Sequence, residues 1–383
     1  MSPSDFSTKQ ILLTGATGFV GSALAAAFLS RGGRVVAISR NDPSGERTAR
    51  AISGAADGFG TPLSGDPLQR LTTLSLEPAR LEDVLDRDTL RGITDVWHCA
   101  ANMTYALETL EETLETNLVM ATRLYQLVAE RSSSCSRFYQ VSTAYTAGIE
   151  RGHVAEELHF APRLVNAYQM SKWCTEQALA HLAASGPALT IFRPTIVVGH
   201  RHSGWSTRKP FGYYMFVNAA HHAARRGIRE FTFHIDPAHT PHLISIDDVV
   251  EAATALTARS SAAARVEVLH CATEPVLTTS DHAEIIGRTV GITVRCGEPR
   301  TSFDHLINRK VMHNREFAFG RWSFDCSALC RALGVHRFGV PLTDSEVGVI
   351  VARFAGVLAS TPAAELAAAT VPPDPTRFDA SVS

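Results

Sequence analysis

The sequence TGATGFVG at 14–21 follows a short apolar run at 11–14 and precedes a stretch, 22–31, that is rich in alanine and leucine and closed by Gly32 and Gly33. Gly15, Gly18 and Gly21 therefore fall at a strand-to-helix junction. Glycines spaced this way allow a tight turn, close backbone approach to a pyrophosphate, and close helix–strand packing, while the helix N-terminus attracts the phosphates. The next apolar run, 34–39, reads as a second strand. Strand, glycine turn, helix and strand in succession form a βαβ unit and imply a parallel sheet. The expected fold class is α/β, a doubly wound parallel (Rossmann) sheet with a smaller, discontinuous α-rich substrate lobe.

The end of the second strand bears on which dinucleotide fits. An acid there would hydrogen-bond a ribose 2′-hydroxyl, whereas an arginine accommodates a 2′-phosphate. The sequence has Arg40 at that position, Arg47 and Arg50 follow, and no acid precedes Asp42. NADPH is the expected cofactor.

Further strands are expected at 71–76, 95–100, 137–143 and 189–192, with helices over 105–131 and 166–184. The segment 41–66 is polar and glycine-rich and reads as a surface excursion. After about 200 the pattern loses its period, and a strand with an alanine-rich helix resumes over 242–270. The expected organisation is a cofactor domain over 1–200 with 242–272 returning to it. A substrate lobe spans 201–241 and 273–358, and 361–383 forms a disordered tail.

Charge narrows the partners. With 36 Lys+Arg against 38 Asp+Glu the formal net charge is −2, and no basic block stands out, so no nucleic-acid partner is expected. The seven cysteines lack any CxxC spacing and read as reduced thiols. No apolar window is long enough to span a membrane, and the first ten residues show no apolar signal core behind a basic start. A cytoplasmic location is expected. His200 and His202, or His221 and His222, lack clustered cysteines or acids, so no metal site is expected.

Tyr168 and Lys172 (YQMSK) are four positions apart on an expected helix and share a face. A tyrosine titrates near 10, and a neighbouring ammonium lowers that value, towards useful general-acid strength. Upstream, VSTAYTAG places Thr143 25 residues before the tyrosine. Side chains alternate along a strand, so Ser142 and Thr143 cannot both face one ligand.

Together these motifs resemble the extended branch of the short-chain dehydrogenase/reductase family over roughly 9–275. The resemblance selects Thr143 as the catalytic hydroxyl, with Tyr168, Lys172 and Asn117 (in TNLVMAT) completing the set. It assigns the cofactor turn to Thr14, Gly15, Thr17, Gly18, Phe19, Val20 and Gly21, with Arg40 beyond the second strand. HCAAN (98–102) implies contacts from Ala100, Ala101 and Asn102. FRPTIVVG (192–199) implies Arg193, Pro194, Thr195 and Val197 beside the nicotinamide, and HLISIDDVV (242–250) matches a later signature. Tyr168 and Lys172 would also touch the cofactor.

Within that family, VSTAY, the acids Glu156 and Glu157, NAYQMSKW, and Gly204 with Trp205 resemble the fatty acyl-CoA reductase and thioester reductase branch, also called male-sterility-like. The usual Gly-Asp-hydrophobic step after the third strand is replaced here by Ser75, Leu76 and Glu77. The resemblance implies reduction of an acyl thioester by NADPH to an aldehyde or onward to an alcohol. The length leaves no room for adenylating and carrier domains, so the thioester is expected on CoA or a separate carrier protein. Arg201, Arg208, Lys209, Arg225 and Arg226 are candidates for a docking patch. The alternatives are a ketone or aldehyde reductase, a sugar-nucleotide epimerase or dehydratase, and a non-catalytic NADP-binding regulator.

Overall fold

The structure, a computed structural model, describes residues 6–63, 65–76, 80–149, 152–259, 264–311, 317 and 319–360. The expected tail at 361–383 and Glu77 lie outside the described residues. In chain order the strands are β1 (Gln10–Thr14), β2 (Arg34–Ser39), β3 (Leu71–Ser75), β4 (Asp95–His98), β5 (Arg137–Val141), β6 (Gly152–Val154) and β7 (Ala188–Pro194). Then come β8 (Ile196–Val198), β9 (Glu230–Phe233), β10 (Leu243–Ser245), β11 (Val266–Cys271), β12 (Thr293–Cys296) and β13 (Trp322–Phe324).

Seven strands form one parallel sheet in the order β11-β7-β5-β4-β1-β2-β3. This is the doubly wound arrangement that the opening βαβ unit implies. Chain order reverses at β1, which has β2 on one side and β4 on the other. Sheets of this kind bind ligands in the crevice beyond the carboxyl ends of such strands.

Both faces of the sheet are covered, so its inner strands read as unbroken apolar runs rather than alternating ones. Ile11, Leu12 and Leu13 of β1 are wholly buried. On β4, Trp97 stacks on Tyr139 of β5 with ring centroids 4.3 Å apart, and its indole N–H donates to Thr257 Oγ1 (3.0 Å). The Tyr139 hydroxyl donates to the Leu256 carbonyl (2.9 Å). Thr257 and Leu256 belong to the helix Ile246–Ala258, which these bonds pin against the sheet.

Three expectations change. The excursion at 41–66 contains a helix, Glu46–Gly58, whose Ile52, Ala55 and Ala56 are buried. Those three positions share one helical face, and small side chains there let it pack close to the helix Phe19–Ser30. The helix expected over 105–131 is divided into a 3-10 turn (Leu107–Thr109), a helix (Leu110–Leu114), a π turn (Glu115–Val119) and a helix (Met120–Arg131). The strands expected at 95–100 and 137–143 leave the sheet after His98 and Val141. Their last residues turn into the crevice instead.

A second apolar core lies apart from the sheet. Val217 of the helix Tyr214–Arg225, Phe231 of β9, Ile285 of the helix Thr279–Val290, and Phe354 of the helix Asp344–Ser360 are buried in it. Strands β9 and β12 pair within this region, whereas β8 pairs with β10 beside the main sheet. Among the described residues no helix is long and apolar enough to cross a membrane.

Candidate active site

The three glycines form a cradle that side chains would fill. Gly15 has φ +75°, in the left-handed region, and a Cβ there would stand 2.7 Å from the Ala100 amide nitrogen. A Cβ on Gly21 would run into the Gly15 carbonyl oxygen. The helix Phe19–Ser30 starts at Gly18 with no side-chain cap and no acid in its first turn, which leaves its positive end suited to an anion. Thr17, Gly18, Phe19, Val20 and Gly21 line the same cleft. At the far end of the crevice the Thr195 hydroxyl is buried with no hydrogen-bond partner. A bare backbone cradle at one end and an unmet buried hydroxyl at the other fit a dinucleotide laid across the carboxyl ends of the strands.

The Thr14 hydroxyl is used within the protein. It accepts from the Ala100 amide (3.2 Å) and lies 2.8 Å from His98 Nδ1, so it ties the end of β1 to the segment after β4. Burial and the nearby Lys172 hold His98 down at about 3, and its ring is neutral.

Beyond β2, Arg40, Arg47 and Arg50 all line the cleft. The first acid, Asp42, is turned away from it. Its Oδ1 accepts from the Arg47 amide (3.2 Å), and its Oδ2 accepts from the Thr48 amide (2.9 Å) and hydroxyl (2.6 Å). Those bonds hold its pKa below the ordinary carboxylate range. The acid thus anchors the start of the helix Glu46–Gly58.

At the end of β5 the two hydroxyls separate. Ser142 Oγ donates to Glu176 Oε1 (2.5 Å), while Thr143 Oγ1 accepts from the Tyr145 amide (3.3 Å) and caps the 3-10 turn Ala144–Ala147. Asn166 caps the helix Ala167–Leu182 by accepting from the Gln169 amide (2.8 Å). That helix presents Tyr168 and Lys172 to the cleft beside Thr143. The Lys172 ammonium lies 5.9 Å from the Tyr168 ring centroid and donates to the Val141 carbonyl (2.8 Å). Burial lowers Lys172 to about 8, with Cys99 and Glu176 opposing the drop. The expected lowering of the tyrosine is reversed: burial, then Tyr105 and Glu176, push its phenol up. Desolvation disfavours the charged phenolate.

One sequence assignment is corrected by position. Arg193 does not line the cleft. Its guanidinium is wholly buried in a two-point ion pair with Glu176 (2.9 and 2.6 Å) and also donates to the Glu157 carbonyl (2.9 Å). A buried carboxylate one helical turn beyond Lys172 captures it, whereas its neighbours Pro194, Thr195 and Val197 do line the cleft. Asn117 also stands behind the wall. Its Oδ1 accepts from the Asn102 amide (2.7 Å), and its Nδ2 donates to the Asn102 carbonyl (2.9 Å) and to Ser171 Oγ (2.8 Å). The π turn delivers Asn117 to a point where it fixes the 100–102 segment against the residue preceding Lys172. Ala100, Ala101 and Asn102 line the cleft.

The cleft has a volume of about 2380 Å³, well above a small-ligand pocket, and continues from the cradle into the second core. Its far wall includes Phe211, Met215, Phe216, Phe233, Leu243 and Phe317. The loop after β8 closes over the cradle: Trp205 lies 5.2 Å from Phe19 and 5.8 Å from Phe59, and Ser203 Oγ donates to the Gly58 carbonyl (2.6 Å). Arg201, a docking candidate by sequence, is instead bound to Asp247, Asp248 and Glu346 and holds this loop down. Arg208 and Lys209 are exposed at the cleft, and Arg225 and Arg226 are exposed at a helix end. Sequence reasoning did not single out Tyr105, His239 or His282, which also line the cleft.

A family model described as male sterility protein matches residues 13–253. The chain belongs to this family. This male sterility family member carries the glycine cradle, Thr143, Tyr168 and Lys172 within the matched span. It is 28% identical over 198 residues to the non-ribosomal peptide synthetase CmlP of Streptomyces venezuelae, a match covering 50% of this chain and 18% of that protein. It is 29% identical over 170 residues to fatty acyl-CoA reductase 1 of Rattus norvegicus, covering 42% and 32% respectively. The matches thus span less than two thirds of these relatives. Two solved structures share the fold. The terminal R domain from the myxalamid PKS-NRPS pathway has a TM-score of 0.71 at 18% identity, covering 92% of this chain and 91% of that one. UDP-glucuronic acid 4-epimerase from Bacillus cereus has a TM-score of 0.64 at 18% identity, covering 93% and 99%.

Proposed function

We propose that this family member reduces the carbonyl of an acyl thioester, on CoA or on a separate carrier protein, to an aldehyde with NADPH. The observation that carries the proposal is the continuity of one cleft. It runs from the glycine cradle past Thr143, Tyr168 and Lys172 into an apolar chamber walled by Phe211, Met215 and Phe216. The named relatives, a peptide synthetase and a fatty acyl-CoA reductase, support the thioester class.

The cradle, Ala100 to Asn102, and Pro194 to Val197 would hold the dinucleotide. NADPH bound there supplies the hydride. Arg40, Arg47 and Arg50 favour the 2′-phosphate form, because all three line the cleft while Asp42, held by Arg47 and Thr48, does not.

The residues of the chain manage the proton. Burial keeps Tyr168 protonated, the state in which its hydroxyl donates to the carbonyl oxygen as charge grows there. Thr143 Oγ1 already accepts from the Tyr145 amide, so its own O–H is free to hold the same oxygen. The Lys172 ammonium has one proton on the Val141 carbonyl and two left for the ribose and for stabilising the phenolate once it forms. Carbon gains a hydride and oxygen a proton, which gives a hemithioacetal. Its C–S bond then breaks to release the aldehyde and the thiol. Segments 201–241 and 273–358 form the substrate lobe in this account. Incubation with an acyl-CoA and NADPH, with products identified, tests the proposal.

A further inference from the structure

Tyr168 is the second residue of the helix Ala167–Leu182 and so stands in its first turn. Helix ends fray, and the amides of a first turn find no partner within their own helix. A proton donor placed there needs an outside hold if its hydroxyl is to keep one position against a carbonyl oxygen. Part of that hold acts on the backbone. Ser171 Oγ donates to the Tyr168 carbonyl (2.9 Å) and accepts from Asn117 Nδ2 (2.8 Å).

The ring of Tyr168 is met from another part of the chain, the segment between β4 and the 3-10 turn Leu107–Thr109. The Tyr105 ring lies 6.3 Å from it between centroids at 73°, an edge-to-face pairing. The Tyr105 carbonyl accepts from the Ala167 amide (3.4 Å), one of the first-turn donors. One residue thus grips both the backbone just before Tyr168 and the Tyr168 ring. Tyr105 is anchored in its turn. Asn117 bonds the amide and the carbonyl of Asn102, and Asn102 Oδ1 accepts from the Thr104 amide (3.1 Å). Asn117 therefore reaches Tyr168 by two routes, through Ser171 to its carbonyl and through the 102–105 segment to its ring. Tyr105 is half-buried and lines the cleft beside Tyr168.

We propose that Tyr105 is a positioning residue, whose ring holds the Tyr168 phenol at the angle from which it donates to the substrate carbonyl oxygen. The inference rests on Tyr168 as the proton donor of the proposed reaction. The edge-to-face contact needs a ring and no hydroxyl, so phenylalanine should serve at 105 and leucine should not. Without the ring, Tyr168 gains other staggered positions and spends less time in the productive one.

Two measurements on the full chain test it. The first needs no turnover. With the tyrosine rings labelled with carbon-13, the Tyr168 signal is assigned by its loss in Tyr168→Phe. Removing a neighbouring ring shifts that signal whatever its role, so line width is the readout. Tyr105→Leu should broaden it, and Tyr105→Phe should not. The second is turnover of acyl-CoA with NADPH. Tyr105→Leu should lower kcat about tenfold with KM and NADPH binding unchanged, and Tyr105→Phe should restore it. Adding Tyr105→Leu to Tyr168→Phe should cost nothing further, because the group it positions is gone. An unchanged line width or kcat in Tyr105→Leu, a loss that adds to that of Tyr168→Phe, or Tyr105→Phe as slow as Tyr105→Leu overturns the proposal. If Tyr105→Leu does not fold, Tyr105→Met, which fills the space without a ring, takes its place. Broadening without any thioester turnover in the wild type keeps the hold of Tyr105 on Tyr168 and removes the thioester reading.

Discussion

The Lys172 ammonium donates a 2.8 Å hydrogen bond to the carbonyl of Val141, which anchors the charge at the end of the strand that leads into Thr143. Helix and strand thereby fix the cation beneath the Tyr168 ring. Burial brings Lys172 down to about 8, so its charge is lost as pH rises through that value. Tyr168 is raised and keeps its proton across the same range. The kcat/KM for reduction should therefore fall above about pH 8, and a pH profile with a thioester substrate checks this. A profile flat to pH 10 would remove the lysine from the mechanism.

Cofactor choice follows from Arg40 and its neighbours. Arg40→Ala should weaken NADPH binding by about tenfold and leave NADH binding nearly unchanged, because only the first carries a 2′-phosphate. Fluorescence titration of both nucleotides measures it. An equal loss for both would place Arg40 outside the phosphate site.

Glu176 and Arg193 are both wholly buried, and the carboxylate also accepts from Ser142. Glu176→Gln leaves the guanidinium without a counter-charge, and breaking one side of such a pair costs about 3–5 kcal/mol. Chemical denaturation of the variant should show a loss of that order. A loss under about 1 kcal/mol, the range of exposed pairs, would mean that the pair is solvated.

Gly58 ends the helix Glu46–Gly58 directly under Trp205, and a Cβ there would overlap the indole. Alanine is the better helix former by about 1 kcal/mol, so a helix-propensity effect would stabilise the protein. The contact predicts the opposite. Gly58→Ala should lower stability and weaken nucleotide binding by displacing Trp205 from Phe19 and Phe59. Thermal melting with and without NADPH decides the sign.

What was legible in the sequence is what local spacing encodes. The glycine turn, the second-strand arginine and the Tyr168–Lys172 pair depend on neighbours along the chain, and the structure brings them to one cleft. Arg193 was misplaced because its partner, Glu176, comes from a helix 17 residues earlier in the chain. The helix Glu46–Gly58 was hidden because its buried face is built mainly of alanine within a polar sequence. Asn117 was found by motif, but its clamp on Asn102 depends on a π turn that no periodicity announces. Tyr105 and His282 reach the cleft only through tertiary packing, with no motif of their own.

The central claim is thioester reduction with Tyr168 as proton donor. Its most direct measurement follows NADPH loss and free thiol together, with acyl-CoA as substrate, in the wild type and in Tyr168→Phe, which keeps the ring against Tyr105. The account predicts thiol release in step with NADPH oxidation, an aldehyde among the products, and a fall of at least about a hundredfold in the variant. NADPH oxidation that proceeds only with free ketones, conversion of a sugar nucleotide without net NADPH loss, or a variant as fast as the wild type would contradict it.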